Sequence, residues 1–384
     1  MSQAYPGSPG PESPPMPGGY LDYQPPAVQR PRDGRFTAMA VSGVLALLLA
    51  VLAVVLPAPY VVESAGPTLN TLGSENGKQI ISINGHQSYP AKGQLDLVTV
   101  YLNGGPQNQI NLFEAYRSWL DPQQAVYPVE LIYPPTATKD QINEQNAADM
   151  VSSQDKATAA ALSQQKIAYQ QQLFVGSIPA GSASAGKLQA GDALQTVNGQ
   201  KIVDQGTLQQ VLAAGKGAAV KIGVLRDGKS AEVTVTPQLS NGRYLLGILL
   251  NYKYSFPFEV KIALENIGGP SAGMMFALGI IDTLTPGDLT GGKHFAGTGT
   301  IDAAGNVGAI GGIPQKMIGA KGAGASVFLA PEANCDEVVG HVPEGLQVVK
   351  VKTLQEAYDA VSLIGSGKDG SALPTCTAGN AAGK

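Results

Sequence analysis

From Phe36 to Leu56 the chain reads FTAMAVSGVLALLLAVLAVVL, without one charged residue. About 20 such residues, rising ~1.5 Å each, match a hydrocarbon layer ~30 Å thick. A helix apolar on every side must be buried in a large core or sit in lipid, and this one stands near the start of the chain. Arg30, Arg32 and Arg35 precede the run, and Glu63 is the first charge after it. Basic residues mark the cytoplasmic flank of a span, which places the N-terminus inside the cell and everything beyond Tyr60 outside. A cleaved signal peptide is the competing reading. The run is longer than the usual apolar core of such a peptide, and PAPYVVES offers no clean A-x-A site, so a retained transmembrane helix over 36–57 is favoured.

The remaining sequence suits two or three further domains, since 384 residues exceed one ordinary domain. Hydrophobic residues make up 43% and charged residues 14%, enough to build cores through most of the chain. A net charge of −4 and no basic stripe argue against a nucleic-acid partner. Three histidines (His86, His294, His341) and two cysteines lack metal-site spacing, so no metal or cofactor is implied. Residues 1–35 hold nine of the 27 prolines and few apolar side chains, which predicts a disordered cytoplasmic tail.

Residues 60–165 mix short strand patterns (GKQIISINGH, GQLDLVTVYL) with helical ones. INLFEAYRSWLD carries helical spacing, with Trp119 expected in a core, and NEQNAADM onward reads as one or two polar-faced helices. This stretch is expected to be a small α+β region spacing later domains from the membrane. Residues 166–240 change rhythm: a glycine-rich turn Pro179–Ala190 runs into Gly191-Asp192, a Val197-Asn198-Gly199 turn follows, and Arg226-Asp227-Gly228 closes a hairpin. This pattern resembles a PDZ domain of bacterial protease-associated proteins. The resemblance implies a groove that takes extended peptides by strand addition. Within it, GSASAGKL (Gly181 to Leu188) narrowly misses a phosphate-binding loop, because Leu188 supplies no hydroxyl for a magnesium ion.

The stretch Ile267–Lys321 carries the candidate chemistry. Pro270-Ser271-Ala272-Gly273 precedes an apolar helix, with Pro270 suited to the first helical position. Ser271 at a helix N-terminus would have free N–H groups nearby to hold an oxyanion. Gly268 and Gly269 allow unusual backbone angles and close substrate approach. Lys316 has Ile313, Met317 and Ala320 around it, at the edge of an apolar face, whereas Lys321 reads as the solvated lysine. A serine hydroxyl needs a base, and a lysine amine serves if burial lowers its pKa. Each residue alone is more often structural: a serine in a glycine turn, a lysine on a wet helix face.

GPSAG around Ser271, the TGTI turn at Thr298 to Ile301, and VGAIGGIPQK ending at Lys316 resemble the proteolytic domain of the Lon family, over about 244–365. With the anchor and the PDZ-like part, the chain resembles the membrane-anchored, PDZ-containing Lon-like proteases of bacteria. The resemblance implies Ser271 as nucleophile, Lys316 as general base and Thr298 as the residue orienting the amine. It also implies ATP-independent cleavage of protein or peptide substrates outside the cell membrane, and a homo-oligomeric ring. The fold expected is multidomain α+β: a transmembrane helix, a small α+β region, a PDZ-like β-rich domain and a Lon-type α+β proteolytic domain, ending in a flexible tail over 366–384. Cys335 and Cys376 would share the oxidising compartment, and the sequence leaves their bonded and free states both open. His294 and His341 are expected to be structural or surface residues, and Asp282 and Asp302 helix-end and turn residues.

Two alternatives compete. A peptide-binding PDZ scaffold without catalysis is the first. The second is an α/β-hydrolase esterase, because GPSAG also fits G-x-S-x-G. Its triad would need Asp336 and His341, which lie too close together on one local segment for that fold, and no HGGG-type motif precedes the serine.

Overall fold

The computed structural model describes residues 7, 10, 34–106, 108–264 and 267–377. The proline-rich tail expected through residue 33 lies outside the described residues apart from Gly7 and Gly10, as do residues 378–384. The chain divides into two units, Met1–Val55 and Leu56–Lys384. In the first, α1 (Gly34–Val55) has no buried side chain and is long and apolar enough to cross a membrane.

The second unit opens with β1 (Tyr60–Asn70), β2 (Ile81–Asn84) and β3 (Gln94–Gly104). Then come α2 (Leu112–Trp119), β4 (Ala125–Pro128) and α3 (Lys139–Gln164), a single helix of 26 residues. A reciprocal cap starts α3: the Gln141 N–H donates to the Thr138 hydroxyl and the Thr138 N–H donates to the Gln141 side-chain oxygen. No glycine or proline interrupts it, which is why one helix forms. Trp119, expected in a core, is instead 69% exposed, because the inner side of α2 holds only the small residues Ala115 and Ser118.

Five strands and a helix follow: β5 (Gln170–Ser177), β6 (Ala193–Val197), α4 (Gln205–Gly215), β7 (Val220–Arg226), β8 (Lys229–Val235) and β9 (Leu249–Ser255). They form an antiparallel sheet in the order β8-β7-β6-β5-β9. Leu173, Val197 and Ile222 from the strands meet Leu208 and Leu212 of α4 in its core. Arg226 clamps the buried Asp192 through Nε and Nη2, both 2.7 Å from carboxylate oxygens, and these bonds hold that carboxyl below its ordinary range. The expected limit at 240 falls short, since β9 pairs with β5 from Leu249↔Ser177 to Ser255↔Gln170. Its alternating residues complete this sheet before the chain moves on.

The C-terminal part contains β10 (Glu259–Ile262), α5 (Gly273–Leu284), β11 (His294–Gly297), α6 (Ile313–Gly322), β12 (Val327–Pro331), β13 (Gln347–Val351) and α7 (Leu354–Gly365). Its six-stranded sheet runs β13-β12-β11-β3-β1-β4, parallel from β13 to β3 and antiparallel beyond. Residues 60–165 therefore do not stand apart as a spacer: β1, β3 and β4 supply half of this sheet, and α3 packs on α5. Val61, Leu95 and Leu97 are fully buried, which requires cover on both faces of the sheet. The expected start of the proteolytic part at 244 likewise misses these earlier strands.

Residues 366–377, expected as a flexible tail, fold back on the sheet edge. The Gln347 amide donates to the Gly370 carbonyl at 2.7 Å and the Lys350 N–H to the Pro374 carbonyl at 2.8 Å. Cys335 and Cys376 are bonded across a sequence separation of 41. Closing a loop of that length removes unfolded-chain entropy worth about 4 kcal/mol in the entropic treatment. Cys376→Ser is expected to lower unfolding free energy by about 2–4 kcal/mol in denaturant titration, with wild type in reductant behaving the same way; equal midpoints for oxidised and reduced protein would show that the bond leaves stability unchanged.

Candidate active site

Ser271 sits in a turn between α3 and the first turn of α5. Pro270 does not occupy the first helical position expected for it, because α5 begins at Gly273 with Ala272 as its cap. The Pro270 carbonyl instead accepts the Ser153 hydroxyl of α3 at 3.0 Å. The preceding glycines have separate reasons. Gly269 adopts φ +86°, a left-handed conformation costly for other residues, and its N–H donates to the Asn146 carbonyl at 3.0 Å. At Gly268 a side chain would come 2.7 Å from Asn146 Cβ. The Ser271 turn is thus held against α3 on one side.

On its other side the turn is held through its own carbonyl. The Ser271 oxygen accepts the Gly299 N–H at 2.8 Å and the Thr298 hydroxyl at 3.0 Å. Thr298 is fully buried, and its Oγ1 in turn accepts from Lys316 Nζ at 3.4 Å. A hydrogen-bond chain therefore runs from the lysine amine through one hydroxyl to the serine backbone.

Lys316 lies on the first turns of α6, with Ile313, Met317 and Ala320 fully buried around it, and is itself only 3% exposed. Its amine pKa is pushed down to about 8: burial disfavours the charged form, and the Glu63 and Glu337 carboxylates oppose that push in part. Lys321, one turn later, is solvent-facing and donates to the Gly345 carbonyl at 3.0 Å. Ser271 and Lys316 line one groove of about 380 Å³, together with Gly268, Gly269, Met150 and the strand segment 98–102.

Two residues of this site went unread in the sequence. Glu63 was noted only as the first charge after the apolar run, yet it is buried near the start of β1, where Val61 and Val62 are buried too. Burial raises its carboxyl pKa, with the lysine pulling it back. Gly312, which caps α6 at φ +67°, leaves room for this carboxylate where a side chain would collide with it. Asn334 is the second. Its side chain accepts the Ile310 N–H at 2.9 Å and donates to the Ile310 carbonyl at 2.7 Å, clasping the loop that leads into α6. A glutamate inside an apolar strand is a readable signal for the first; nothing in EANCDEV announces the second.

Of the other residues considered, His294 bonds to Asp96 at 2.8 Å, Asp282 near the end of α5 accepts the Leu289 N–H at 2.9 Å, and Asp302 caps its own turn at the Ala304 and Asn306 N–H groups. Asp336 lies in and His341 just after the short helix Cys335–Val338, and neither lines the groove of Ser271. Among the described residues, no three His, Cys, Asp or Glu side chains are grouped to hold a metal ion. Asn334→Ala would strand two buried backbone groups, so a loss of about 2–4 kcal/mol in stability is expected from chemical denaturation; a change below 0.5 kcal/mol would show that the clasp is dispensable.

Comparison with known proteins finds matches to parts of the chain. Residues 266–363 match the Lon protease (S16) C-terminal proteolytic domain. The archaeal Lon protease of Methanocaldococcus jannaschii is 41% identical over 97 residues, 25% of this chain and 14% of that protein. The Lon protease of Clostridioides difficile is 36% identical over 104 residues, 26% of this chain and 13% of that protein. The chain thus spans only a small fraction of the length of these curated relatives. Among solved structures, the PDZ domain of an SdrC-like protein of Listeria innocua aligns at 26% identity over 21% of this chain and 92% of that one, with a TM-score of 0.20. The C-terminal segment 266–363 is thus similar to the proteolytic domain of Lon proteases.

Proposed function

We propose that the chain is a membrane-anchored, ATP-independent serine endopeptidase in which Ser271 is the nucleophile and Lys316 its general base. The observation that carries this reading is the shared groove: a buried lysine with a lowered pKa lines the same cleft as a turn-presented serine, and Thr298 links the lysine amine to the serine's backbone carbonyl. Ser271 Oγ attacks the peptide carbonyl while the neutral amine takes its proton. The N–H groups of Gly273 and Met274 are bonded to the Pro270 and Gly299 carbonyls, so the oxyanion is stabilised from the backbone of the Ser271–Ala272 turn ahead of α5. The ammonium then protonates the leaving amine, and the regenerated amine activates the water that releases the acyl group. Thr298 fixes the amine's direction.

Substrate capture in this reading uses backbone pairing. β3 pairs with β11 only over Gln94–Leu97, while its pairing with β1 continues to Gly104. The segment 98–102 that lines the groove therefore has an edge along which an extended peptide can add as a strand. The sheet β8-β7-β6-β5-β9 serves as the PDZ module that recruits or regulates substrate. ATP independence is supported at the phosphate-loop near miss: Leu188 is buried in that module's core and stands where a magnesium-binding hydroxyl is required. The arginines before α1 support a cytoplasmic N-terminus with the peptidase outside.

Peptide cleavage by detergent-solubilised full chain tests the assignment. Ser271→Ala and Lys316→Met should each lose turnover by ~10³-fold or more while keeping their far-UV dichroism; activity persisting in either variant would remove the dyad, and stable peptide binding without cleavage in wild type would point to a scaffold. Lys321→Met should match wild type. Only the uncharged amine accepts a proton, so kcat/KM should rise with pH through about 8 and level off above it. A profile flat from pH 6 to 9 would exclude Lys316 as the base.

A further inference from the structure

Helix α2 is built inside out. Leu112, Phe113, Tyr116, Trp119 and Leu120, the last just past its end, are 41%, 57%, 59%, 69% and 60% exposed, whereas Ala115 and Ser118 face the protein. At ~100° of turn per residue these five large side chains form one stripe roughly 120° wide, opposite the small ones. A helix on a water-facing surface carries the reverse pattern. Beside the stripe, in the last turn, Arg117 is exposed. The acidic residue of the helix, Glu114, is turned inward to accept from the Asn103 amide at 3.2 Å. Asp121, just past Leu120, is half-buried and accepts from the Gln123 N–H and the Gln124 amide, so the exposed charge on the helix beside the stripe is Arg117.

The place of α2 in the chain identifies what meets this face. Asn111, whose side chain caps α2, bridges to Pro57, and the Ala58 N–H donates to the Ile110 carbonyl at 2.8 Å. Pro57 follows Val55, the last residue of α1, by two positions. Two extended residues reach at most about 7 Å, so connectivity alone holds the start of α2 at the level where the apolar helix ends.

We propose that α2 lies in the membrane–water interface, with its five large side chains seated among lipid headgroups and upper acyl chains and Arg117 directed to anionic phosphates. This rests on reading α1 as a retained span. Trp and Tyr are favoured at that depth, and an apolar face flanked by a basic residue is the pattern of helices that lie in the interface. The catalytic unit is then held by two attachments, a span and a surface helix, which limits its swing about the linker at Leu56–Pro59.

Trp119 is the only tryptophan in the chain, so its emission reports on this helix alone. The full chain would be reconstituted into phosphatidylcholine–phosphatidylglycerol vesicles with and without bromine-labelled acyl chains. Bromines placed near the headgroup end should remove most of the Trp119 emission, bromines near the chain terminus much less, and iodide should have little effect. Protein that resists alkaline extraction from the vesicles but ignores the bromines would overturn the proposal while leaving the span intact. In that case iodide access would mean a solvated helix, and iodide protection would mean a face covered by a second copy. Protein that fails to stay with the vesicles would remove the span reading itself, and this proposal with it.

Discussion

The withdrawal of one amine from water is the constraint around which the C-terminal fold is arranged. An ammonium as deeply buried as that of Lys316 is costly unless it is paired or neutral. Here the balance is poised: apolar neighbours on α6 favour the neutral form, and the carboxylates of Glu63 and Glu337 favour the charged one. Full ion pairing would lock the proton in place, and fully apolar surroundings would leave an amine that never charges. Neither extreme would suit the general-base role proposed for this amine, which requires a proton to be accepted and returned at ordinary pH.

That balance is assembled from distant parts of the chain. Glu63 comes from β1 just after the apolar helix, Thr298 from the end of β11, Lys316 from α6, and Asn334 from the turn after β12. The parallel-to-antiparallel sheet brings them together, since β3 joins β11 on one side to β1 on the other. Ser271 is fixed separately, by α3 through Asn146 and Ser153 and by the strand end at Thr298 and Gly299. The Ser271 and Lys316 side chains are thereby held at one groove by contacts within the fold.

How far the sequence revealed this depended on whether a signal was local. The apolar run from Phe36 to Leu56 declares itself by length, and GPSAG and GGIPQK by composition next to periodic apolar residues. The strand and helix rhythm of 166–240 was equally plain. The role of residues 60–165 was not, because β2 and β3 read as short strand patterns whose partners the sequence does not name, β1 was not read as a strand, and β3 pairs with a strand beginning at His294. Trp119 misled for a related reason: helical spacing predicts an apolar stripe but not which way the stripe faces. Pro270 obeys a statistical preference for helix starts that the Ser271 turn overrides. The contributions of Glu63 and Asn334 depend on tertiary neighbours, which one-dimensional patterns do not contain.

The module that contains α4 is entered by the chain along β5 and left along β9, and these two strands are hydrogen-bonded neighbours with Gln170 facing Ser255. Entry and exit therefore lie one strand spacing apart, ~5 Å. Such a module is a cassette: it can be lengthened, exchanged or lost across evolutionary time with only a short turn needed to rejoin α3 to β10, and the six-stranded sheet keeps every strand.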